Sequence, residues 1–309
     1  MAQGGIQGKE KEHSVFPGKA VILMEYEKTY KNQCYDEERA LYGVRNALVE
    51  QCVFDGPADG ESALKESKKI TVRDCRFMLR YPFWHVEQGV IENCTMSEGC
   101  RAALWYDADI ILNHCDMGGI KALRECRNIC LNQCHIVSPE FSWRCSEVAL
   151  QNCDLTSEYP FFETKRLTMD NCTMVGKYSF QYVENATISH CSLDTKDAFW
   201  HSRNVTVVDS TVKGEYLGWY AENLKFVRCK IIGTQPLCYV KGLILEDCTM
   251  EETDLSFEYS DVTADIVGDI VSVKNPLSGR IRAWHIGEII RGDSVKGEGD
   301  CEIVTGFQR

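Results

Sequence analysis

The 309 residues (35.1 kDa) are 44% hydrophobic, 26% charged and 10% aromatic, a composition that fills a core and excludes a disordered chain. With 34 Lys and Arg against 46 Asp and Glu, the net charge of −12 argues against broad binding to nucleic acid or to an anionic membrane surface. No apolar run approaches the roughly 20 residues of a membrane helix, and Val21, Ile22, Leu23 and Met24 are too short for an export signal. The 17 Cys are therefore expected to be reduced thiols of a cytoplasmic protein rather than a secreted disulfide scaffold.

Along the chain, residues 1–19, with Gly4, Gly5 and Gly8 among charges, read as a flexible extension, and 20–38 as a cap whose stretch 21–30 covers the first sheet edge. Over 39–260, ten cysteines keep one beat: Cys52, Cys75, Cys94, Cys115, Cys134, Cys153, Cys172, Cys191, Cys229 and Cys248. From Cys115 to Cys191 every step is 19 residues, and Ser210 takes the place of the missing Cys. A fixed period of this size means stacked supersecondary units. In each unit apolar residues stand five and three positions before the Cys, as Val148 and Leu150 or Leu243 and Leu245, with another two after it, as Phe77, Met96 or Leu155. That is the period of a strand. Turn formers precede the Cys (Asp74, Asn93, His114, Asn152, Asn171, Asp247), and Asn128, Asn185, Asn204, Asn223 and Gly242 open the preceding strand, so each coil divides into about three short strands.

The predicted fold is all-β: a right-handed parallel β-helix of about 11–13 coils with an internal Cys ladder, handed by the rule for parallel crossovers. Residues 261–309 read as shorter closing coils (Ile270, Val271, Ile281, Ile289, Ile290) and a tail, and 20–309 as a single domain. The Cys column fills volume as compact buried thiols, and Cys126 and Cys145 form a second small-residue column with Val86, Thr164, Val183 and Ala221. A straight ladder does not converge on a tetrahedral centre, so no metal is expected, and no cofactor.

A third strand carries residues that core filling does not explain. One column is inward (Leu64, Phe83, Leu104, Leu123, Ser142, Phe161, Phe180, Phe199, Gly218, Leu237). The next residues should therefore face out: Lys65, Trp84, Trp105, Arg124, Trp143, Phe162, Gln181, Trp200, Trp219, Cys238 and Phe257, with five Trp on an exposed face. The position after reads Glu66, His85, Tyr106, Glu125, Arg144, Glu163, Tyr182, His201, Tyr220, Tyr239 and Glu258. Two coils are longer, by four residues around 55–61 and by two near Glu98, Gly99, Cys100 and Arg101, just upstream of this stripe. Lys65, Arg80, Arg101, Lys121, Arg124 and Arg144 cluster there and favour an anionic ligand, set against ion pairing with Glu66, Glu98, Glu125, Glu140 and Glu163.

The candidate catalytic residues are Glu125 and Glu163, two coils and roughly 9–10 Å apart at the strand spacing, with Glu66, and with His85 or Tyr106 as proton donor. The candidate ligand-binding residues are Lys65, Trp84, Arg101, Trp105, Arg124, Trp143, Arg144, Trp200, His201, Trp219 and Tyr220.

Residues 39–43, 55–66, 81–85, 101–106, 121–125 and 215–220 carry a resemblance to the pectate-lyase-like superfamily of right-handed β-helices. More closely, the chain resembles a bacterial family of cytosolic β-helix proteins of unknown function, some labelled hydrolases. The resemblance implies action on polysaccharide by hydrolysis, elimination or ester cleavage. The chain departs from the wider fold's enzymes: it has neither the Asn-Thr-Asp, Asp-Asp and His-Gly set of polygalacturonases nor an Asp cluster for a lyase calcium. The expected function is a saccharide-active protein, a glycoside hydrolase acting on an anionic oligosaccharide in a Trp-lined groove. The alternative is a non-catalytic scaffold whose stripe binds saccharide or a protein partner, or joins copies into a homo-oligomer; a structural rod would instead have every stripe residue ion-paired.

Overall fold

The computed structural model describes residues 26–56 and 61–306. The extension at 1–19, the first part of the cap and residues 57–60 of the longer loop lie outside them. Inward Val, Ile and Leu at alternate positions pair coil to coil in parallel: Ala47 with Ile70, Ile110 with Ile129, Ile129 with Val148, and Val205 with Leu224. Stacking these strands builds a right-handed parallel β-helix of about 14 turns. The count exceeds the expected 11–13 because Lys28–Lys31, read as cap, is itself a strand paired with Arg45–Glu50, and because the closing coils are short, Asp261 pairing with Ser278 and Asp269 with His285.

Each coil contributes a six-residue strand to one long ladder, such as Arg127–Asn132, and a shorter strand to a second, such as Asp154–Glu158. A third face has two-residue strands at Phe83–Trp84, Leu104–Trp105 and Leu123–Arg124, continued by a bridge from Arg124 to Trp143.

The corners are made by left-handed residues. Asp74, Asn93, Asn152 and Asn171 have φ of 51–54°, and Asn128, Asn185, Asn204 and Asn223 have φ of 54–61°. Asn and Asp tolerate this region better than other side chains, which is why they recur at these offsets. Their amides also bond along the stack, Asn171 Nδ2 to Asn152 Oδ1 at 2.6 Å and Asn223 Nδ2 to Asn204 Oδ1 at 3.0 Å.

All ten ladder cysteines are buried and free. They do more than fill volume: at Cys52, Cys75, Cys191 and Cys229 the N–H points into the core, where the next ladder side chain accepts it. Cys52 N–H bonds Cys75 Sγ at 3.4 Å, Cys75 N–H bonds Cys94 Sγ at 3.4 Å, and Ser210 Oγ does the same for Cys191 at 2.9 Å. Rings stack inside the coil as well, Phe161 on Phe180 at 5.1 Å and Phe180 on Phe199 at 4.8 Å.

Two stripe assignments shift. Phe257 is fully buried and Tyr259, not Glu258, stacks next to Tyr239, with ring centroids 5.4 Å apart. Gln235 N–H bonds the Asp254 carbonyl and Tyr239 N–H that of Glu258, each one residue further on than the 19-residue beat places it, so this coil holds an extra residue before Leu255. Cys238 is also fully buried rather than outward and exposed.

Candidate functional site

The outward positions of the third face fall in register, Trp84 beside Trp105 and Trp105 beside Arg124. After them comes a corner column: Glu66, His85, Tyr106, Glu125, Arg144, Glu163, Tyr182, His201, Tyr220 and Tyr239 all have φ of 53–61°. Left-handed φ recurs at the other corners too, including charged and aromatic residues such as Arg166 (φ 55°) and Tyr178 (φ 56°); this column differs in consisting of charged and aromatic side chains throughout. The left-handed turn aims successive side chains off the same flank. His85 stacks on Tyr106 (5.1 Å), Tyr182 on His201 (4.9 Å), His201 on Tyr220 (5.2 Å) and Tyr220 on Tyr239 (4.9 Å).

The five Trp share the flank but are half-buried, not exposed. Each indole lies along the stack: Trp84 is 5.2 Å from Trp105 and Trp200 is 5.7 Å from Trp219, ring over ring. Lys65 Nζ sits 3.7 Å from the Trp84 ring, Arg124 5.7 Å from that of Trp105 and Lys121 5.9 Å from that of Trp143. Trp143, Trp200 and Trp219 donate their N–H to the carbonyls of Tyr159, Tyr216 and Gln235. The flat faces that would hold a sugar ring are spent on neighbours, leaving edges, hydroxyls and imidazoles at the surface.

Most of the basic cluster is neutralised in place. Arg80 pairs with Glu61 (2.8 Å), Lys121 with Glu140 (3.1 Å), Arg124 with Glu125 (3.1 Å) and Arg144 with Glu163 (2.8 Å). Arg101 is exposed at the second longer turn. The local excess of positive charge that favoured an anionic ligand is thus largely cancelled, by register neighbours for Arg80, Lys121 and Arg144 and by the adjacent Glu125 for Arg124.

A cleft of about 320 Å³ opens where four corner residues meet: Glu66, His85, Tyr106 and Glu125 line it, with Glu87, Asp107, Ala108 and Arg127. Glu163 is not among the lining residues; it lies two coils beyond Glu125 and pairs with Arg144. Hydrogen bonding from the Tyr106 hydroxyl, and then Arg124, holds the Glu125 carboxyl below its ordinary range, and the same carboxylate raises the Tyr106 hydroxyl. Glu87 is held low by Lys68, 2.6 Å away.

Sequence reasoning missed Asp107. It occupies the inward column of Val86, Cys126 and Cys145, and burial pushes its carboxyl well above the ordinary value. The signal was present: one acid in a column of small neutral residues. No group of three or more His, Cys, Asp or Glu side chains among the described residues is arranged to hold a metal ion.

Fold and flank together define a right-handed parallel β-helix with a corner ladder of polar and aromatic side chains. The chain matches over residues 28–304 the family described as protein of unknown function (DUF3737), and it belongs to that family. A search of curated proteins finds no match. Among solved structures, it is similar to PfbA, a surface adhesin of Streptococcus pneumoniae, at 7% identity and a TM-score of 0.46, covering 75% of this chain and 83% of that one. It is also similar to the A-module of the Azotobacter vinelandii mannuronan C-5 epimerase AlgE6, at 12% identity and a TM-score of 0.41, covering 91% and 90%. A mutant tailspike protein of E. coli bacteriophage HK620, in complex with a hexasaccharide, is similar at 8% identity and a TM-score of 0.40, covering 85% of this chain and 59% of that one.

Proposed function

We propose that the protein binds an extended saccharide along the corner ladder and hydrolyses a glycosidic bond at the Glu66–Glu125 cleft. The observation that carries this is the meeting of Glu66, His85, Tyr106 and Glu125 from four successive coils around one opening. Side chains repeating at the ring spacings of 4.9–5.2 Å offer a linear, hydroxyl-rich polymer one donor or acceptor per coil. In this reading Glu125, held ionised by Tyr106 and Arg124, takes the proton of the attacking water, and His85, two coils away, protonates the leaving oxygen. The buried thiols, each engaged with backbone, suit the reducing cytoplasmic setting we infer for it.

The second reading, a scaffold that binds without turnover, draws support from the ion pairs of Arg124 and Arg144 and from the closed Trp faces. A panel of linear oligosaccharides, neutral and uronate, followed by tryptophan fluorescence and by reducing-end release, separates them. Hydrolysis predicts release that drops about 100-fold or more in Glu125→Gln while quenching persists. Quenching with no release by the wild type would establish the scaffold, and neither signal would remove both.

A further inference from the structure

The outside of the long ladder of six-residue strands is not uniform along the stack. One outward column runs in register through Leu48, Thr71, Val90, Ile111, Cys130 and Ala149. The next two coils turn polar, and their Thr168 and Thr187 are exposed. Burial on the apolar part does not come from the interior. Cys130 stands outward between the inward Ile129 and Leu131 and is not part of the core cluster, yet it is 2% exposed. Thr71 is 3% exposed, and Glu92, the outward residue after Val90, 8%. Side chains standing off a sheet face reach such values where something packs over them.

The path of the chain points to what that is. It enters the solenoid at the first edge, where Lys28–Lys31 is a strand and Glu27 N–H bonds the Asn46 carbonyl. Tyr26 already lies over the face: its hydroxyl donates to Thr71 Oγ1 at 2.8 Å, two coils further on, so the side chain spans the coil of Leu48. The 25 residues before Tyr26 include the apolar run Ala20, Val21, Ile22, Leu23 and Met24, with Val15 and Phe16 further back. From the first strand to Cys130 there are five coil-to-coil pairings, about 24 Å, which about eight extended residues cover. Counted back from Tyr26, that length takes in the whole run.

We propose that residues 15–24 form an arm docked along the outer face of this ladder, over the column from Leu48 to Ala149, with Cys130 beneath it. The occupant is this chain's own N-terminal segment, since Tyr26 delivers it to the face and its apolar length matches that of the column. In place of a cap over the first sheet edge, the segment is a strap over a sheet face.

Thiol mapping by mass spectrometry on the native full chain tests this, with Cys130 as the reporter. In the wild type Cys130 should label slowly. In the combined variant Val21→Ser, Ile22→Ser, Leu23→Ser and Met24→Ser it should label about 10-fold faster or more, while the interior Cys115 and Cys134 stay slow. Fast labelling of Cys130 in the wild type, or unchanged slow labelling in the variant, would overturn the arm. Protection of Cys130 that weakens on dilution would make the cover a second copy and overturn it equally. Ile111→Lys decides the matter should the Ser variant unfold, because the sheet already accepts Lys225 in this column. At an unchanged circular-dichroism spectrum it should speed tryptic cleavage after Lys19 by about 10-fold or more, and an unchanged rate would overturn the proposal.

Discussion

A carboxyl group inside a β-helix makes stability depend on pH in a direction opposite to that of a salt-bridged one. The Asp107 pKa is raised by burial, so the unfolded chain releases this proton at about pH 3.9 and the folded chain only at higher pH. Its favourable contribution is complete below the unfolded value and is lost as pH climbs toward the folded one. Asp107→Asn should therefore gain on the wild type as pH rises from 4 to 7, read as a widening difference in melting temperature; a constant difference would mean that Asp107 is ionised when folded. The corner residues obey a different constraint. Glu66, His85, Tyr106 and Glu125 hold φ of 57–61° or, for Glu125, 53°, where Asn or Gly would sit with less strain. Candidate status was legible at these positions because they break the composition of the other corners. That the cleft ends at Glu125, two coils short of Glu163, was not legible, since its extent depends on side chains from different coils.

At the scale of one coil, the recurring Cys is a paired donor and acceptor as well as a filler. Cys75 accepts the N–H of Cys52 at 3.4 Å and reaches the Arg73 carbonyl at 3.1 Å. Cys75→Ser should keep both bonds and cost about 1 kcal/mol or less, whereas Cys75→Val fills the space but orphans a buried N–H and should cost about 1–3 kcal/mol. Guanidinium denaturation of the two variants checks this, and equal stabilities would return the ladder to simple packing. Ser210 already stood in the sequence as the clue, its hydroxyl repeating the bond. Strand and turn placement could be read because side-chain alternation and left-handed corners each impose a residue type at a fixed offset. The exposure of the Trp column could not, because an indole wide enough to span a coil covers its neighbour and takes a carbonyl from the next turn.

Over the whole molecule, each coil contacts chiefly the coils on either side, so surface charges meet register neighbours: Lys165 pairs with Glu184, Lys196 with Glu215 and Arg228 with Asp209. Such exposed pairs add little each, and the continuous interior carries the stack. That interior also hides most of the thiols. Cys34 is exposed and the other 16 are buried. A thiol reagent should titrate one group rapidly in the native protein and the remainder only on unfolding; several fast thiols would mean that coils open locally.

The amino-acid sequence by itself determined the period, the strand and corner positions, the inward columns and the flank on which the candidate residues gather. It could do so because a solenoid repeats one local geometry, and a local geometry selects residues by their spacing along the chain. The tertiary structure alone decided which flank residues share an opening, which charges cancel, which ring faces are covered and where the slipped register brings Tyr259 instead of Glu258. Those outcomes depend on distances between side chains of different coils, which no spacing along a single coil encodes.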